Sequence, residues 1–195
     1  MNAPIPDWTT EGVLPPVDDN NPTSPARSPY EVSLADLVQR FGTSKERIRI
    51  LDGFLGYRQS LHDAGLTQGF QWLNGSYMEH VEILEQRPPN DIDVVSFIEF
   101  PSDKNQRDIL DAFNKVVGIR PNEQEAIKQH FHVDAYFVPM NMISPERLVE
   151  RSSYWYSMWS HRRDDSWKGF LKISLLPDQA AREHLDRLKD QEGSQ

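Results

Sequence analysis

The spacing of apolar residues predicts several helices along the chain. The segment "SLADLVQRF" (33–41) has this spacing, and Ser33 is a suitable N-cap for it. In "TSKERIRILDGFLGYRQSLHDAG" (43–65) the apolar residues recur at helical spacing, so we expect a second helix with Thr43 as its N-cap and Gly65 at its end. Further helices are predicted over 104–117, from about 144 to 159, and after Pro177.

Alternating apolar and polar residues predict strands between these helices. Short strands are expected at "FQWL" (70–73) and "FLKISLL" (170–176). A longer strand is expected at "DIDVVSFIEF" (91–100). Its alternation places Asp91 and Asp93 on one face, together with two apolar residues. Both carboxylates are therefore expected to project from the same side of the sheet.

Two further stretches place polar groups beside these strands. The turn "NGS" (74–76) follows the first short strand and is expected to open a helix over "SYMEHVEILEQ" (76–86). A last strand is expected at "QHFHVDAYFVP" (129–139), where one face carries two histidines and Asp134. Such a face is not simply part of a hydrophobic core, so Asp134 becomes a candidate for chemistry.

This order of elements predicts an α/β (α+β) fold with a small mixed sheet and flanking helices. Seven of the fourteen prolines fall within residues 1–30, which predicts an extended arm there. A single domain is expected over 31–195, with its core at about 68–176. The apolar residues expected to pin the arm to the domain are Trp8, Val13 and Leu14.

Composition excludes several classes of protein. The 195 residues are 37% hydrophobic and 26% charged, and they contain no apolar run long enough to cross a bilayer. The start "MNAPIPDWTTEGVLPP" lacks a secretory signal, so a cytoplasmic location is expected. The absence of cysteine excludes disulfides, thiolate nucleophiles and Cys-ligated zinc. A net charge of −9 argues against a general nucleic-acid-coating protein, although a local site could still bind a nucleotide.

The aspartates indicate a functional site only when they are considered together. The chain has 17 aspartates, so an isolated Asp-x-Asp pair is no more than its composition would produce by chance. Asp91 and Asp93 gain a third partner in Asp134 on another predicted strand. Hard cations such as Mg²⁺ prefer carboxylate and phosphate oxygens as ligands. The Gly75 backbone and the Ser76 hydroxyl could donate to phosphate oxygens nearby.

Three of these motifs resemble a known superfamily. "WLNGS", "NDIDVVSF" and "HVDAYFV" look like the Gly-Ser, Asp-x-Asp and third-carboxylate elements of the nucleotidyltransferase superfamily typified by DNA polymerase beta. The resemblance implies transfer of a nucleoside monophosphate from a nucleoside triphosphate, such as ATP, to a hydroxyl of an RNA, a protein or a small molecule. It implies that Gly75 and Ser76 hold the triphosphate, and that Asp91, Asp93 and Asp134 hold two Mg²⁺ or Mn²⁺ ions. Asp134 would complete the second metal site or take the proton of the attacking hydroxyl.

The resemblance extends beyond these motifs. "GVLPP", "RFGTSKERIRILDGFLGYRQSL" and "WKGFLKISL" are similar to segments of a bacterial family of uncharacterised nucleotidyltransferase-like proteins. Fourteen residues separate Ser76 from Asp91, a little more than is commonest in the superfamily, and we place the extra length in the loop 86–90. Small bacterial members of the superfamily include toxins, antitoxins and defence proteins, so such a role is one option.

Several candidate residues keep a structural alternative. Lys168 would bind a phosphate of the nucleotide, or it belongs to a solvated loop whose arginines pair with Asp164 and Asp165. His130 and His132 would adjust Asp134 or ligate a metal, but histidines satisfied by hydrogen bonds are commoner. The aromatic residues Trp155 and Trp159 would stack on a base or, as we favour, pack against the sheet.

Two alternatives to the enzyme also stay open. The first is a non-catalytic nucleotide-binding module, resembling an antitoxin, with a possible protein partner. The second is a metal-dependent phosphodiesterase that uses the same carboxylates with water as the nucleophile.

Overall fold

The computed structural model describes residues 5–18, 20–102, 106–118 and 121–193. Parts of three predicted elements lie outside the described residues: positions 1–4 and 19 of the arm, positions 104 and 105 of the fourth helix, and the last two residues of the domain. In the described ranges, no helix combines the length and apolar character needed to cross a membrane.

The described chain forms a mixed sheet of five strands with seven α-helices, which confirms the predicted α+β class. The strands are β1 (Tyr30–Glu31), β2 (Gln68–Asn74), β3 (Ile92–Glu99), β4 (Val133–Pro139) and β5 (Leu171–Ser174). The helices are α1 (Leu34–Phe41), α2 (Lys45–Asp63), α3 (Val81–Leu84), α4 (Gln106–Val117), α5 (Pro121–Phe131), α6 (Pro145–Trp159) and α7 (Gln179–Glu192).

The strand order across the sheet is β1-β5-β2-β3-β4. Strand β2 lies in the middle and runs antiparallel to both of its neighbours, β3 and β5. The outer pairs, β1 with β5 and β3 with β4, are parallel. The pairing of β3 with β4 sets two of the predicted aspartate positions side by side.

Each face of the sheet has its own hydrophobic core. On one face, Ile92 and Val94 of β3 pack into a large core with residues of α1, α2 and α7. On the other face, Val95 and Phe97 pack with the two buried tryptophans of α6. This division confirms the alternation predicted for 91–100 and the packing role predicted for Trp155 and Trp159. The second face is also the one toward which Asp93 projects.

The predicted first helix is confirmed, but the residue predicted to cap the second helix is wrong. The Ser33 hydroxyl accepts a hydrogen bond from the Asp36 amide and caps α1. The cap of α2 is Ser44, not Thr43, because Ser44 has an extended backbone and its hydroxyl accepts from the Arg47 amide at 3.3 Å. The Thr43 amide belongs instead to the turn that ends α1.

Helix α5 is absent from the sequence prediction. Its only partly buried apolar side chains are those of Ile127 and Phe131, so it lacks a clear amphipathic stripe. The predicted strand 129–139 is therefore wrong at its beginning. His130 lies in the last turn of α5, His132 lies in the link with φ +55°, and β4 begins only at Val133.

The N-terminal arm follows the domain surface without a helix or strand over the described part of 5–29. Val13 and Leu14 are buried, and the Leu14 carbonyl accepts a hydrogen bond from the Gly169 amide. The Trp8 indole N–H donates to the Met78 carbonyl at 2.7 Å. These contacts confirm the three predicted pinning residues.

A buried arginine ties α2 to the segment that follows β2. Arg47 is only 1% exposed, and its guanidinium donates to the carbonyls of Tyr77 and Glu79 at 2.7 Å each. It also forms a two-point ion pair with the Glu82 carboxylate. The planar fork of arginine thus fixes the chain just beyond the Gly-Ser turn.

Arg47→Lys is expected to lower the free energy of unfolding by about 2 kcal/mol, because a lysine cannot satisfy all of these acceptors. Urea denaturation monitored by tryptophan fluorescence measures the change. Arg182→Lys is the matched control, since Arg182 pairs with Asp52 at a partly exposed site, and we expect a change within about 0.5 kcal/mol there. Equal losses in both variants would contradict this role for Arg47.

Candidate active site

Three carboxylates meet at one end of the sheet. The parallel register of β3 and β4 pairs Asp93 directly with Asp134. Neighbouring strands lie about 4.8 Å apart, so these two side chains leave the sheet side by side. Asp91 immediately precedes β3, two positions before Asp93 and on the same face. The structure brings together the three aspartates that the sequence indicated.

The Gly75-Ser76 turn lies against these carboxylates. The antiparallel register of β2 and β3 pairs Asn74 with Asp93, so the turn begins immediately beside Asp93. Gly75 has φ +84°, and a Cβ atom at this position would lie 2.8 Å from Asp93 Oδ2. The backbone conformation favours glycine, and an added Cβ atom would also displace the Asp93 carboxylate.

The helix predicted to begin at Ser76 is wrong. The chain makes a single 3-10 turn (Ser76–Met78), and only Val81–Leu84 is α-helical beyond it. One physical reason is that the Glu79 carbonyl accepts a hydrogen bond from Arg47 instead of joining a continuous helical ladder. The turn therefore offers a phosphate its backbone amides and the Ser76 hydroxyl, without the positive end of a long helix.

A lysine that sequence reasoning missed lies between two of the aspartates. Lys128 Nζ is 2.8 Å from Asp91 Oδ2 and 3.1 Å from Asp134 Oδ2. Burial alone would lower the pKa of Lys128, but the hydrogen bonds to the two carboxylates outweigh it and raise the pKa above its usual range. The sequence offered no signal for this contact, because Lys128 belongs to the helix that the pattern did not reveal.

Asp93 is the carboxylate whose ionisation is most disturbed. Burial raises the pKa of Asp93 to about 6, with the negative charges of Asp91 and Asp134 acting in the same direction. The positive charges of Lys168 and Lys128 oppose this rise. In the part of the chain that the structure describes, Asp93 forms no ion pair of its own. The site thus holds more negative charge than its lysines neutralise.

Lys168 lies in the wall of the same site as part of a buried ion pair. It is 7% exposed, and its Nζ lies 2.6 Å from Glu79 Oε1. Arg162 Nε approaches the other oxygen of the Glu79 carboxylate at 3.4 Å. Of the two interpretations of this segment, the solvated loop whose arginines pair with Asp164 and Asp165 is wrong, because within the described residues no ion pair joins them.

These groups line one cavity of about 720 Å³. Its volume falls within the range of about 300–1,000 Å³ that is typical of small-molecule sites. Three arginines are among its lining residues, and Arg163 among them has an exposed side chain. All six predicted site residues line the cavity: Gly75, Ser76, Asp91, Asp93, Asp134 and Lys168.

The two histidines lie outside this cavity lining. His130 belongs to α5, and a ring nitrogen of His132 lies 2.9 Å from Arg49 Nη1. Burial and the adjacent Arg49 charge lower the pKa of His132. The prediction that these side chains share a strand face with Asp134 is wrong, because the strand starts after both of them.

The acidic end of the cavity fits a hard divalent cation in its chemistry. Carboxylate oxygens are the protein ligands that Mg²⁺ and Mn²⁺ prefer, and the Lys128 ammonium already shows one cation held between Asp91 and Asp134. Among the described residues, no group of three or more His, Asp or Glu side chains is arranged so that it could hold a metal ion by itself. A bound ion would therefore take part of its coordination from substrate phosphates or water.

The comparisons with known proteins give one match. A model of a family of unknown function, DUF6932, matches residues 6–174 of the chain. The matched range includes most of the described arm, the whole sheet and every residue of the cavity lining. No curated protein and no solved structure matches the chain.

Proposed function

The chain belongs to the DUF6932 family, and from its cavity we propose that it is a metal-dependent nucleotidyltransferase. It would transfer a nucleoside monophosphate from a nucleoside triphosphate to a hydroxyl of an RNA end, a protein or a small molecule. The observation that carries the proposal is the β3–β4 register, which sets Asp93 beside Asp134 with Asp91 next to them. The resemblance of the three motifs to the polymerase beta superfamily supports the same function.

The reaction is a displacement at the α-phosphorus of the nucleotide. The acceptor hydroxyl oxygen forms a bond to this phosphorus, the bond to the oxygen that bridges to the β-phosphate breaks, and pyrophosphate leaves. Asp134 would accept the proton of the acceptor hydroxyl. A divalent ion at this carboxylate cluster, with Asp93 as a ligand, would neutralise the charge on the phosphate oxygens.

The groups around the carboxylates are suited to a triphosphate. The Ser76 hydroxyl and the amides of the turn can donate to phosphate oxygens, and Gly75 allows them to approach because it has no side chain. Arg163, an exposed residue of the cavity lining, would attract the phosphates by its charge. Lys168 is committed to Glu79, so we assign it a supporting place in the wall.

Labelled nucleotides test the proposal directly. Each α-³²P-labelled nucleoside triphosphate is incubated with the protein, Mg²⁺ or Mn²⁺, and a cell lysate as the source of acceptors. We expect label to enter RNA, protein or a small molecule with wild type and not with Asp91→Asn/Asp93→Asn. Asp164 lines the same cavity without belonging to the trio, so Asp164→Asn is the control variant and should retain transfer.

Each alternative gives a different result in this assay. Identical behaviour of wild type and the double variant with every nucleotide would mean that the proposed activity is absent. Cleavage of a polynucleotide without any triphosphate would instead indicate the phosphodiesterase.

One observation favours a second candidate, the non-catalytic nucleotide-binding module. Lys128 occupies space between Asp91 and Asp134 that a metal ion could use. If it excludes metal ions altogether, the protein binds ATP or GTP without releasing pyrophosphate. Equilibrium binding of a labelled nucleotide in EDTA, with no label transferred when Mg²⁺ is restored, would identify this module.

A further inference from the structure

Lys128 makes the same contacts that a metal ion in this site would make. Its Nζ atom lies within hydrogen-bonding distance of one oxygen of Asp91 and one oxygen of Asp134. Within the described chain, no ion pair joins Lys128 to Asp93. The trio is thus divided into two carboxylates that already have a cation and one that has none.

Lys128 is held in this place by the packing of α5. Phe131, one turn later, lies with its backbone against Gly53 of α2, where a Cβ atom would come within 2.0 Å of the Phe131 carbonyl oxygen. The Phe131 ring also packs edge-on against the buried Tyr57. The Lys128 carbonyl accepts from the His132 amide at 2.8 Å, which closes the end of the helix. Because the helix is fixed at this end, its lysine is directed to the carboxylates.

Charge balance favours one additional divalent cation. Three carboxylates with one ammonium carry two net negative charges, which a single divalent ion neutralises. A second divalent ion would have to share Asp91 or Asp134 with an ammonium that is about 3 Å from both oxygens. Like charges at such distances repel strongly in a partly buried site.

We propose that Lys128 acts as a built-in cation, so that the site takes one divalent metal ion, at Asp93, in place of two. The inference rests on the proposed function, because it concerns the metal of that same site. Lys128 is a positioning residue in this scheme: it holds Asp91 and Asp134 in place and neutralises them where a second ion would otherwise be needed.

Metal stoichiometry tests this inference without relying on activity. The full chain is titrated with Mn²⁺, and free Mn²⁺ is followed by electron paramagnetic resonance. We expect one Mn²⁺ per wild-type chain and two per chain for Lys128→Met, which removes the ammonium but keeps a long side chain. Lys128→Arg should restore a stoichiometry of one. Lys189→Met is the matched control, because Lys189 pairs with Asp52 at 3.0 Å away from the cavity, and it should also bind one.

The possible outcomes separate this inference from the proposed function. Two Mn²⁺ ions in wild type, or one in both wild type and Lys128→Met, would overturn the role of Lys128 while leaving a metal-dependent enzyme intact. No bound Mn²⁺ in any variant would overturn the metal assignment itself. If Mn²⁺ binds only to variants that lack the Lys128 ammonium, then the metal assignment and the role proposed for Lys128 are both wrong for the wild-type protein. Lys128→Gln, which can still hydrogen-bond both carboxylates, gives the same comparison if Lys128→Met does not fold.

Discussion

Asp93→Asn is expected to lower nucleotidyl transfer by roughly a thousandfold and, in metal-free buffer at pH 7, to raise the stability of the protein. The loss of transfer follows from removing the carboxylate that would bind the divalent ion, because losing such electrostatic stabilisation of the phosphate charge ordinarily costs about 10²–10³-fold or more. The gain in stability follows from the raised pKa of Asp93, because its ionised form is buried without an ion pair.

The sign of the pH dependence comes from the same pKa. Folding raises the pKa of Asp93 from 3.8 to about 6, so the folded protein binds the proton more tightly than the unfolded chain does. Below about pH 4 Asp93 is protonated in both the folded and the unfolded protein, so it does not lower the free energy of unfolding. Between about pH 4 and pH 6 the unfolded chain loses its proton first, and the free energy of unfolding falls with rising pH. Two pKa units correspond to about 3 kcal/mol.

Urea denaturation at pH 4, 5, 6 and 7 in EDTA measures this contribution. We expect the two proteins to be equally stable near pH 4 and the asparagine variant to exceed wild type by up to about 3 kcal/mol at pH 7. Asp164→Asn is a control of opposite sign, because hydrogen bonds from Ser166 lower the pKa of that exposed carboxyl. A difference between Asp93→Asn and wild type that does not change with pH would contradict the argument.

Divalent cations should reverse the difference in stability between wild type and Asp93→Asn. A metal ion that binds only the folded protein stabilises it by mass action, so Mg²⁺ or Mn²⁺ should raise the stability of wild type more than that of Asp93→Asn. The same carboxylate would then lower stability in the free protein and support binding in the loaded one. Such a trade is expected where a buried charge serves a site and not the fold.

Periodicity predicted the sheet and its two faces well, because strand alternation is a local property. The pattern in 91–100 placed Asp91 and Asp93 on one face, and the structure shows Ile92 and Val94 in the opposite core. Asp134 could also be predicted as a candidate site residue, because a charged residue in an apolar strand is a strong local signal. The register that sets Asp134 opposite Asp93 could not be predicted, because register depends on the packing of the whole sheet.

The features that escaped prediction depend on contacts between distant residues. Lys128 reaches the aspartates from α5, a helix that packs on α2 and has a weak apolar pattern of its own. The helix expected after Gly75 is broken where the Glu79 carbonyl accepts a hydrogen bond from Arg47, which lies 32 positions earlier in the chain. One interpretation of the sequence placed Lys168 in a solvated loop, yet its side chain is buried against Glu79. In each case a partner remote in sequence decides the outcome.

Gly53→Ala is expected to lower the free energy of unfolding by about 3 kcal/mol, because the new Cβ atom would overlap the backbone of α5. That atom would lie 2.0 Å from the Phe131 carbonyl oxygen and 2.7 Å from its carbonyl carbon. A backbone group cannot rotate away as a side chain can, so α5 must move as a unit. Thermal and urea denaturation measure the loss.

Gly56→Ala provides a closely matched control one turn further along α2. Its Cβ atom would meet only the Phe131 ring, at 3.4 Å and 3.5 Å, so little has to move. Replacing a helical glycine by alanine gains up to about 1 kcal/mol of helix propensity, and we expect this variant to be as stable as wild type or more so. Equal destabilisation by both variants would show that α2 tolerates no alanine here and that contact with α5 is not the cause.

The same pair of variants connects the fold to the site. If the packing of Phe131 on Gly53 directs Lys128 to Asp91 and Asp134, then moving α5 withdraws the ammonium from the carboxylates. Folded Gly53→Ala should then bind two Mn²⁺ ions, as expected for Lys128→Met, whereas Gly56→Ala should bind one. A stoichiometry of one in folded Gly53→Ala would mean that Lys128 finds the carboxylates through its own flexible side chain and needs no help from α2.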